Sequence, residues 1–190
     1  PVMPDSSSIV SDSLINTSKS KNTDTQEIND YQERLHDIVE RMNNNLGKIL
    51  LNGNPERDFS RLMITNLFAG IEISELQKRN GNRPEDIKEA EKKLSFLKRQ
   101  EDYFHTYQTT TDIPYSSSTK KKAPELKHLT IPNAADKDAV FAAIITEYNQ
   151  NTIEIALQYL KTGSNRGMRK AAQELIQNFY AEIQEMKKHR

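Results

Sequence analysis

The sequence contains no cysteine, which excludes disulfide bonds, thiolate metal sites and cysteine nucleophiles. It also has no excess charge, because 27 Lys and Arg residues balance 27 Asp and Glu residues. We therefore expect no overall attraction to nucleic acid or anionic lipid. No apolar run approaches the roughly 18 residues of a membrane span. The hydrophobic fraction is only 35% of 190 residues, which predicts one domain with a core and a part that is not packed.

Motifs of catalytic and phosphate-binding sites are absent as well. The six glycines are dispersed, and three of them, Gly53, Gly81 and Gly163, follow the ends of predicted helices, so they form no phosphate-binding loop. The four histidines are dispersed, and no serine stands in a strand-turn-helix elbow. Aromatic residues do not alternate with a basic patch. We therefore predict that the protein is not an enzyme and does not bind nucleic acid.

Five segments carry apolar residues at alternating spacings of three and four, as amphipathic helices do. We predict helices over residues 25–51, 55–79, 84–108, 136–162 and 165–188. Pro55 and Pro84 suit the first turn of a helix, and Gly53 and Gly163 end the helices before them. No segment alternates with period two over a useful length, so we predict no sheet.

One helical hairpin occurs twice in the chain. Residues 58–73 return 82 residues later as residues 140–155, and the offset continues through the turn into the next helix. The matched pairs, which need no gap, include Phe59 with Phe141, Gly81 with Gly163, Lys88 with Lys170 and Ala90 with Ala172. The predicted fold is all-α: a four-helix bundle of two repeated antiparallel hairpins, at about 55–108 and 136–189. The extra N-terminal helix would pack outside the bundle or extend it.

Two segments interrupt the helical pattern. Residues 1–25 are rich in Ser, Thr, Asn, Asp and Lys, and we predict a disordered tether outside a single helical bundle over 26–190. Such a tether would suit an export or lipid-anchor sequence removed upstream, and hence a membrane tether. Residues 109–135 are predicted to be a linker between the hairpins. We interpret the run Lys120–Lys122 as a solvated loop, with a phosphate or lipid contact as the alternative.

The recurring residues resemble those of a known bacterial family. The first hairpin keeps Phe59, Met63, Ile64, Ile71 and Gly81, and the second keeps Phe141, Ile153, Ala156, Gly163, Ala172, Ile176, Glu182, Ile183 and Met186. In order and spacing they resemble the family called domain of unknown function 305, in tandem over roughly residues 30–190. The resemblance implies a ferritin-like four-helix bundle of the bacterial envelope, periplasmic or secreted, as in a lipoprotein. It also implies metal binding, with copper often suspected.

The chain departs from this family at the metal donors. The family's His-His pair falls on Asn66-Leu67 and Tyr148-Asn149, its inner Met on Ile73 and Ile155, and its second-helix Gln on Leu97 and Phe179. Amide, phenol and aliphatic groups do not replace imidazole and thioether as ligands of a soft metal. The leading prediction is a non-catalytic envelope bundle with no metal and no cofactor, which lost the family's His and Met ligands. It would be a structural or binding module, with an unknown protein partner or self-association.

Asn66 and Tyr148 occupy matched inner positions, and two interpretations remain open. They form a buried polar pair, hydrogen-bonded across the bundle, or they join Met63 and a nearby Glu in a weak copper site. The second interpretation makes the protein a metal-binding or metal-tolerance protein with altered ligands. We do not expect a di-iron site at Glu33-x-x-His36 or Glu125-x-x-His128. Glu33 points away from its helix stripe, and His128 lies in the linker.

Overall fold

The helix boundaries follow the sequence signals closely. A computed structural model describes residues 10–110, 121–122, 128–134 and 136–188, with the side chains of 25–109, 128–134 and 136–187. Five helices occupy this part of the chain: α1 (Val10–Lys48), α2 (Pro55–Asn80), α3 (Pro84–Thr110), α4 (Lys137–Thr162) and α5 (Arg166–Lys188). The predicted all-α class is confirmed, and α2 to α5 match their predicted ranges to within two residues. Among the described residues, no helix combines the length and apolar composition needed to cross a membrane.

Helix α1 differs from its predicted range at both ends. It begins at Val10, so the prediction of a disordered tether is wrong for residues 10–25. Residues 1–9 lie outside the described part of the chain. No Gly or Pro interrupts the sequence from Val10 to Leu46, and once the packed part of a helix has formed, each further residue adds a hydrogen bond at little cost. A polar composition does not prevent this extension.

A short strand pair replaces the predicted end of α1. Strand β1 (Leu50–Leu51) pairs antiparallel with strand β2 (Lys121–Lys122), so the prediction of no sheet is wrong at these four residues. Two lysines assigned to a solvated loop lie in a strand instead. Two-residue strands are too short to show a period of two in the sequence. Of the predicted linker, α3 takes residues 109–110, residues 128–134 are irregular, and residues 111–120, 123–127 and 135 lie outside the described residues.

The two predicted hairpins are present and pack against each other. Helices α2 and α3 pack together, α4 and α5 pack together, and α2 contacts α4. Helix α1 packs mainly on α2 and to a lesser extent on α4, so it lies outside the four-helix bundle. Its buried face consists of Tyr31, Leu35, Ile38, Val39, Met42 and Leu46, which belong to the same apolar core as the bundle.

Each hairpin caps the turn of the other. Asp138, in the first turn of α4, accepts a hydrogen bond from the backbone N–H of Arg83 in the α2–α3 turn (3.0 Å). Glu56 stands at the matching position in the first turn of α2. It accepts hydrogen bonds from the backbone N–H groups of Ser164 (2.7 Å) and Asn165 (3.1 Å) in the α4–α5 turn. Because a helix N-terminus leaves such donors without backbone partners, these two contacts stabilise both turns and join the hairpins.

A buried chain of hydrogen bonds also attaches α1 to the bundle. The Asp138 side chain is 1% exposed and also accepts a hydrogen bond from the amide of Gln77 on α2 (2.5 Å). The Gln77 amide oxygen in turn accepts a hydrogen bond from the hydroxyl of Tyr31 on α1 (2.9 Å). Polar side chains of α1, α2 and α4 therefore satisfy one another in the core and join the three helices.

Candidate functional site

A layer of buried polar side chains lies where α2 faces α4. The amide of Asn66 donates to the hydroxyl of Thr152 (2.7 Å). The Thr152 hydroxyl donates to the backbone carbonyl of Tyr148 one turn earlier (2.8 Å). The Tyr148 hydroxyl donates to the backbone carbonyl of Asn66 (3.2 Å). All three side chains are buried, so the layer joins the two repeats through groups that satisfy one another.

The Tyr148 ring fits against a glycine. A Cβ atom added at Gly70 would overlap the Tyr148 hydroxyl and the ring carbon that bears it, so the absent side chain allows α2 to approach the ring. Burial raises the pKa of Tyr148 well above its ordinary value, the hydrogen bond with Thr152 opposes this, and the charge of Glu182 adds to it. The phenol is therefore neutral at physiological pH and acts as a hydrogen-bond donor.

Next to this layer lies a buried ion pair between the second helices of the two hairpins. The ammonium of Lys93 on α3 contacts the carboxylate of Glu182 on α5 (2.5 Å) and donates to the amide oxygen of Asn149 (2.7 Å). The amide nitrogen of Asn149 donates to the same Glu182 oxygen (2.9 Å). The ammonium lies 3.9 Å from the ring centroid of Phe179 and 5.5 Å from that of Tyr148.

This ammonium is almost completely removed from water. The Lys93 side chain is 2% exposed and that of Glu182 is 12% exposed. Burial lowers the pKa of Lys93, and the charge of Glu182 and its hydrogen bond partly oppose that effect. A buried charge that loses its partner is strongly destabilising. Glu182 is therefore the group on which the burial of Lys93 depends.

A cavity of about 270 Å³ opens beside the ion pair. Its apolar wall comes from Phe141, Ala142 and Met186, and its charged rim from Arg83, Glu85, Asp86, Glu89, Glu182 and Glu185. Burial raises the pKa of Asp86, the Arg83 guanidinium partly offsets this, and the charges of Asp138 and Glu85 raise it further. The rim carries more acidic than basic groups, and Glu182 belongs to both the cavity and the ion pair.

The three residues of the predicted copper site share one region. Met63, Asn66 and Tyr148 are all buried, and a hydrogen bond brings Tyr148 to the backbone of Asn66. Met63 lies one turn before Asn66 on α2, within the apolar core. The geometry agrees with the interpretation of a buried polar pair. The side chain of Asn66, however, pairs with Thr152 rather than with the phenol.

The described residues of the two Glu-x-x-His motifs lie on the surface. Glu33 and His36 are exposed on α1, and the His36 Nδ1 atom lies 3.8 Å from a carboxylate oxygen of Glu40. His128 is exposed in irregular chain, and Glu125 lies outside the described residues. Among the residues with described positions, no three His, Asp or Glu side chains converge closely enough to bind a metal ion.

Sequence reasoning missed the burial of Lys93. The residue lies on the inward stripe of α3, three residues after Ala90 and four before Leu97, both of which are buried. That spacing was a usable signal, but the charge of lysine made a surface position the default. The sequence pattern identifies Glu182 only through the family resemblance.

Comparisons with known proteins give one useful likeness. No family model matches the chain, and no curated protein sequence matches it. A solved structure titled "CopM in the Cu(I)-bound form" matches with a TM-score of 0.56 and 23% sequence identity. The match covers 70% of this chain and 93% of the CopM chain. At this identity the likeness shows a shared helical-bundle fold.

Proposed function

We propose that this chain is a non-catalytic helical-bundle protein of the bacterial envelope, with the tandem, degenerate hairpins of the domain of unknown function 305 family. In this proposal it has lost that family's His and Met metal ligands and now acts as a structural or binding module. The observation that carries it is the set of side chains that fills the inner positions of the two hairpins.

Those inner positions hold poor ligands for a soft metal. The four residues on which the family's His-His pairs fall, Asn66, Leu67, Tyr148 and Asn149, are all buried. The three polar ones are bonded to other protein groups within the bundle. An amide or neutral phenol competes weakly for copper compared with imidazole or thioether, and binding here would also break existing hydrogen bonds.

The buried hydroxyl groups support a non-catalytic role. Ser60, Ser74 and Thr152 each donate to a backbone carbonyl, of Phe104, Gly70 and Tyr148 respectively. A serine or threonine nucleophile needs a neighbouring base that accepts its proton. These hydroxyl groups donate hydrogen bonds to backbone carbonyls instead, as expected of structural groups.

The envelope location rests on the family resemblance. A periplasmic chain, tethered through a segment upstream of this sequence, would be recovered with the envelope after cell fractionation of the full-length protein. Recovery in the cytoplasmic fraction would contradict this part of the proposal.

A second candidate function is copper handling with altered ligands. It is favoured by the likeness to a protein whose structure holds Cu(I), and by the buried position of Met63 one turn before Asn66 on α2. Thioether sulfur is a ligand that suits Cu(I). This candidate requires the buried layer to open, since Asn66 and Tyr148 are engaged in hydrogen bonds.

A competition titration distinguishes the two functions. The protein is mixed with Cu(I) held by a chromophoric chelator, and transfer of the metal is measured from the loss of the chelator's colour. We expect no stoichiometric transfer. Transfer that is abolished in Met63→Leu would establish the second candidate. Transfer that persists in Met63→Leu would also refute the first candidate and place the donors elsewhere.

A further inference from the structure

The surroundings of the Lys93 ammonium form a complete site for an organic cation. A carboxylate oxygen of Glu182 and the amide oxygen of Asn149 accept from it, and the Phe179 ring lies 3.9 Å away. Charge-assisted hydrogen bonds and an aromatic face are the groups that proteins use to bind alkylammonium ions. We propose that Lys93 is the built-in occupant of a cation site, and that shortening its side chain makes the site bind a primary alkylammonium ion.

This site suits an ammonium ion better than a metal ion. It offers one carboxylate oxygen and one amide oxygen, whereas tightly bound metals require four or more donors at fixed geometry. The face of an aromatic ring attracts an ammonium ion but supplies no lone pair. The site formed by Glu182, Asn149 and Phe179 is therefore independent of any copper binding elsewhere in the chain.

The neighbouring cavity reaches the site at Glu182, and we propose it as the entrance. Glu182 lines the 270 Å³ cavity and also contacts the Lys93 ammonium. The acidic groups at the rim, including Glu85, Glu89 and Glu185, would concentrate a cation there. An alanine at position 93 would remove three methylenes and the ammonium, which together have the shape of n-propylammonium.

The repeat supplies a matched control. The position in hairpin two that corresponds to Lys93 is Leu175, which is also completely buried. Leu175→Ala would create a cavity of similar depth, while Lys93 would still occupy the site formed by Glu182 and Asn149. An effect of general cavity filling would appear in both variants, and an effect of the cation site only in Lys93→Ala.

The test measures thermal unfolding of Lys93→Ala in n-propylammonium chloride, against sodium chloride of equal ionic strength. We expect the melting temperature to rise by about 3 °C at roughly ten times the dissociation constant. Wild type and Leu175→Ala should show no rise specific to ammonium, and neutral n-propanol should not reproduce it. Equal responses to n-propanol and n-propylammonium, or an equal rise in Leu175→Ala, would overturn the proposal, as would no response.

Two further measurements cover a Lys93→Ala chain that does not fold alone. Such a chain should regain helical circular dichroism as n-propylammonium is added, and failure to do so counts against the site. In wild type, the proposal requires one lysine ammonium protected from exchange at neutral pH, with proton contacts to the Phe179 ring by NMR. The absence of that signal would overturn it.

Discussion

The turns of the hairpins α2–α3 and α4–α5 are built in the same way, but the interiors of the two hairpins differ. Both first helices end at a glycine whose backbone N–H donates over 2.7 Å, from Gly81 to the carbonyl of Gln77 and from Gly163 to that of Tyr159. Both turns are capped by an acid from the other hairpin. These common features of the two turns depend on backbone hydrogen-bond donors, which must be satisfied in any sequence.

The interiors differ at the buried positions between α3 and α5. Hairpin one has Lys93 where hairpin two has Leu175, and Glu182 of hairpin two stands where hairpin one has Gln100. The chain therefore contains a buried ion pair and its apolar and neutral counterpart in equivalent places. At these positions the repeat accepts charged side chains in its core where the two opposite charges are introduced together.

The largest expected effect comes from breaking the ion pair. In Glu182→Gln, the ammonium of Lys93 loses its counterion in a buried position, so we expect a loss of about 3 kcal/mol in the free energy of unfolding. Urea denaturation measures it. The matched change in the other hairpin, Gln100→Met, should alter stability by less than about 1 kcal/mol, because the Gln100 amide oxygen is buried without a partner. Equal losses in the two variants would contradict this comparison.

The next largest difference in stability is expected between alanine substitutions at the two glycines that follow α2 and α4. A Cβ at Gly163 would overlap the ring of Tyr159, which is itself stacked on Phe59 with centroids 4.2 Å apart. Gly163→Ala should therefore cost about 2 to 3 kcal/mol. At Gly81 the overlap would be smaller, because the added Cβ would lie 2.7 Å from the side-chain amide nitrogen of Gln77 and 2.8 Å from the Gln77 backbone carbonyl oxygen. We expect about half the cost there, measured by thermal unfolding. A larger loss in Gly81→Ala would show that the ring is not the rigid element.

The reciprocal caps should also differ in strength. Asp138 is buried, and an asparagine there would point an amide N–H towards donors such as the Arg83 backbone N–H or the Gln77 amide. Asp138→Asn should therefore cost about 2 kcal/mol. Glu56→Gln should cost less than about 1 kcal/mol, because solvent screens the half-exposed Glu56. Chemical denaturation of both variants at pH 7 tests the difference, and identical losses would refute it.

The cap at Glu56 should depend on pH. Burial by itself would raise the pKa of Glu56, but the hydrogen bonds from Ser164 and Asn165 outweigh it, and the pKa lies below the ordinary value. A group with a lowered folded pKa stabilises the fold above its unfolded pKa, about 4.3 for glutamate. It loses that contribution as pH falls through the folded value. The stability gap between wild type and Glu56→Gln should thus narrow between pH 7 and pH 3, and a constant gap would contradict the assignment.

The smallest expected change comes from making the two interiors alike. The double variant Lys93→Leu/Glu182→Gln reproduces the Leu175 and Gln100 combination, and the new glutamine amide can donate to Asn149. We expect its stability to lie within about 1 kcal/mol of wild type, well above that of Glu182→Gln. Urea denaturation of the three chains completes the comparison. If the double variant were as unstable as Glu182→Gln, the ion pair would stabilise the fold by more than each residue neutralising the charge of the other.

The helices were predictable because their signals are local. Apolar spacings of three and four, with Pro55 and Pro84 at helix starts, set the ranges of α2 to α5. The repeat then predicted the two hairpins. The start of α1 was missed because polar residues are typical of disordered segments, although a helix already held by packing extends through them.

The candidate site was predictable only in part. Asn66 and Tyr148 were recognised as inner residues because the repeat aligns them. The burial of Lys93 depends on Glu182, 89 residues further along the chain, and no local pattern encodes that distance. The caps at Glu56 and Asp138 likewise join residues that are 108 and 55 positions apart.

The reciprocal caps also bear on how one hairpin would pair with a separate copy of itself. When the same position on each of two similar units contacts the same position on the other, the contact has the form of an isologous interface around a twofold axis. Two separate copies of one hairpin could make both caps at once, each supplying the acid and receiving it. Each cap therefore aligns a helix start of one half with the turn of the other half.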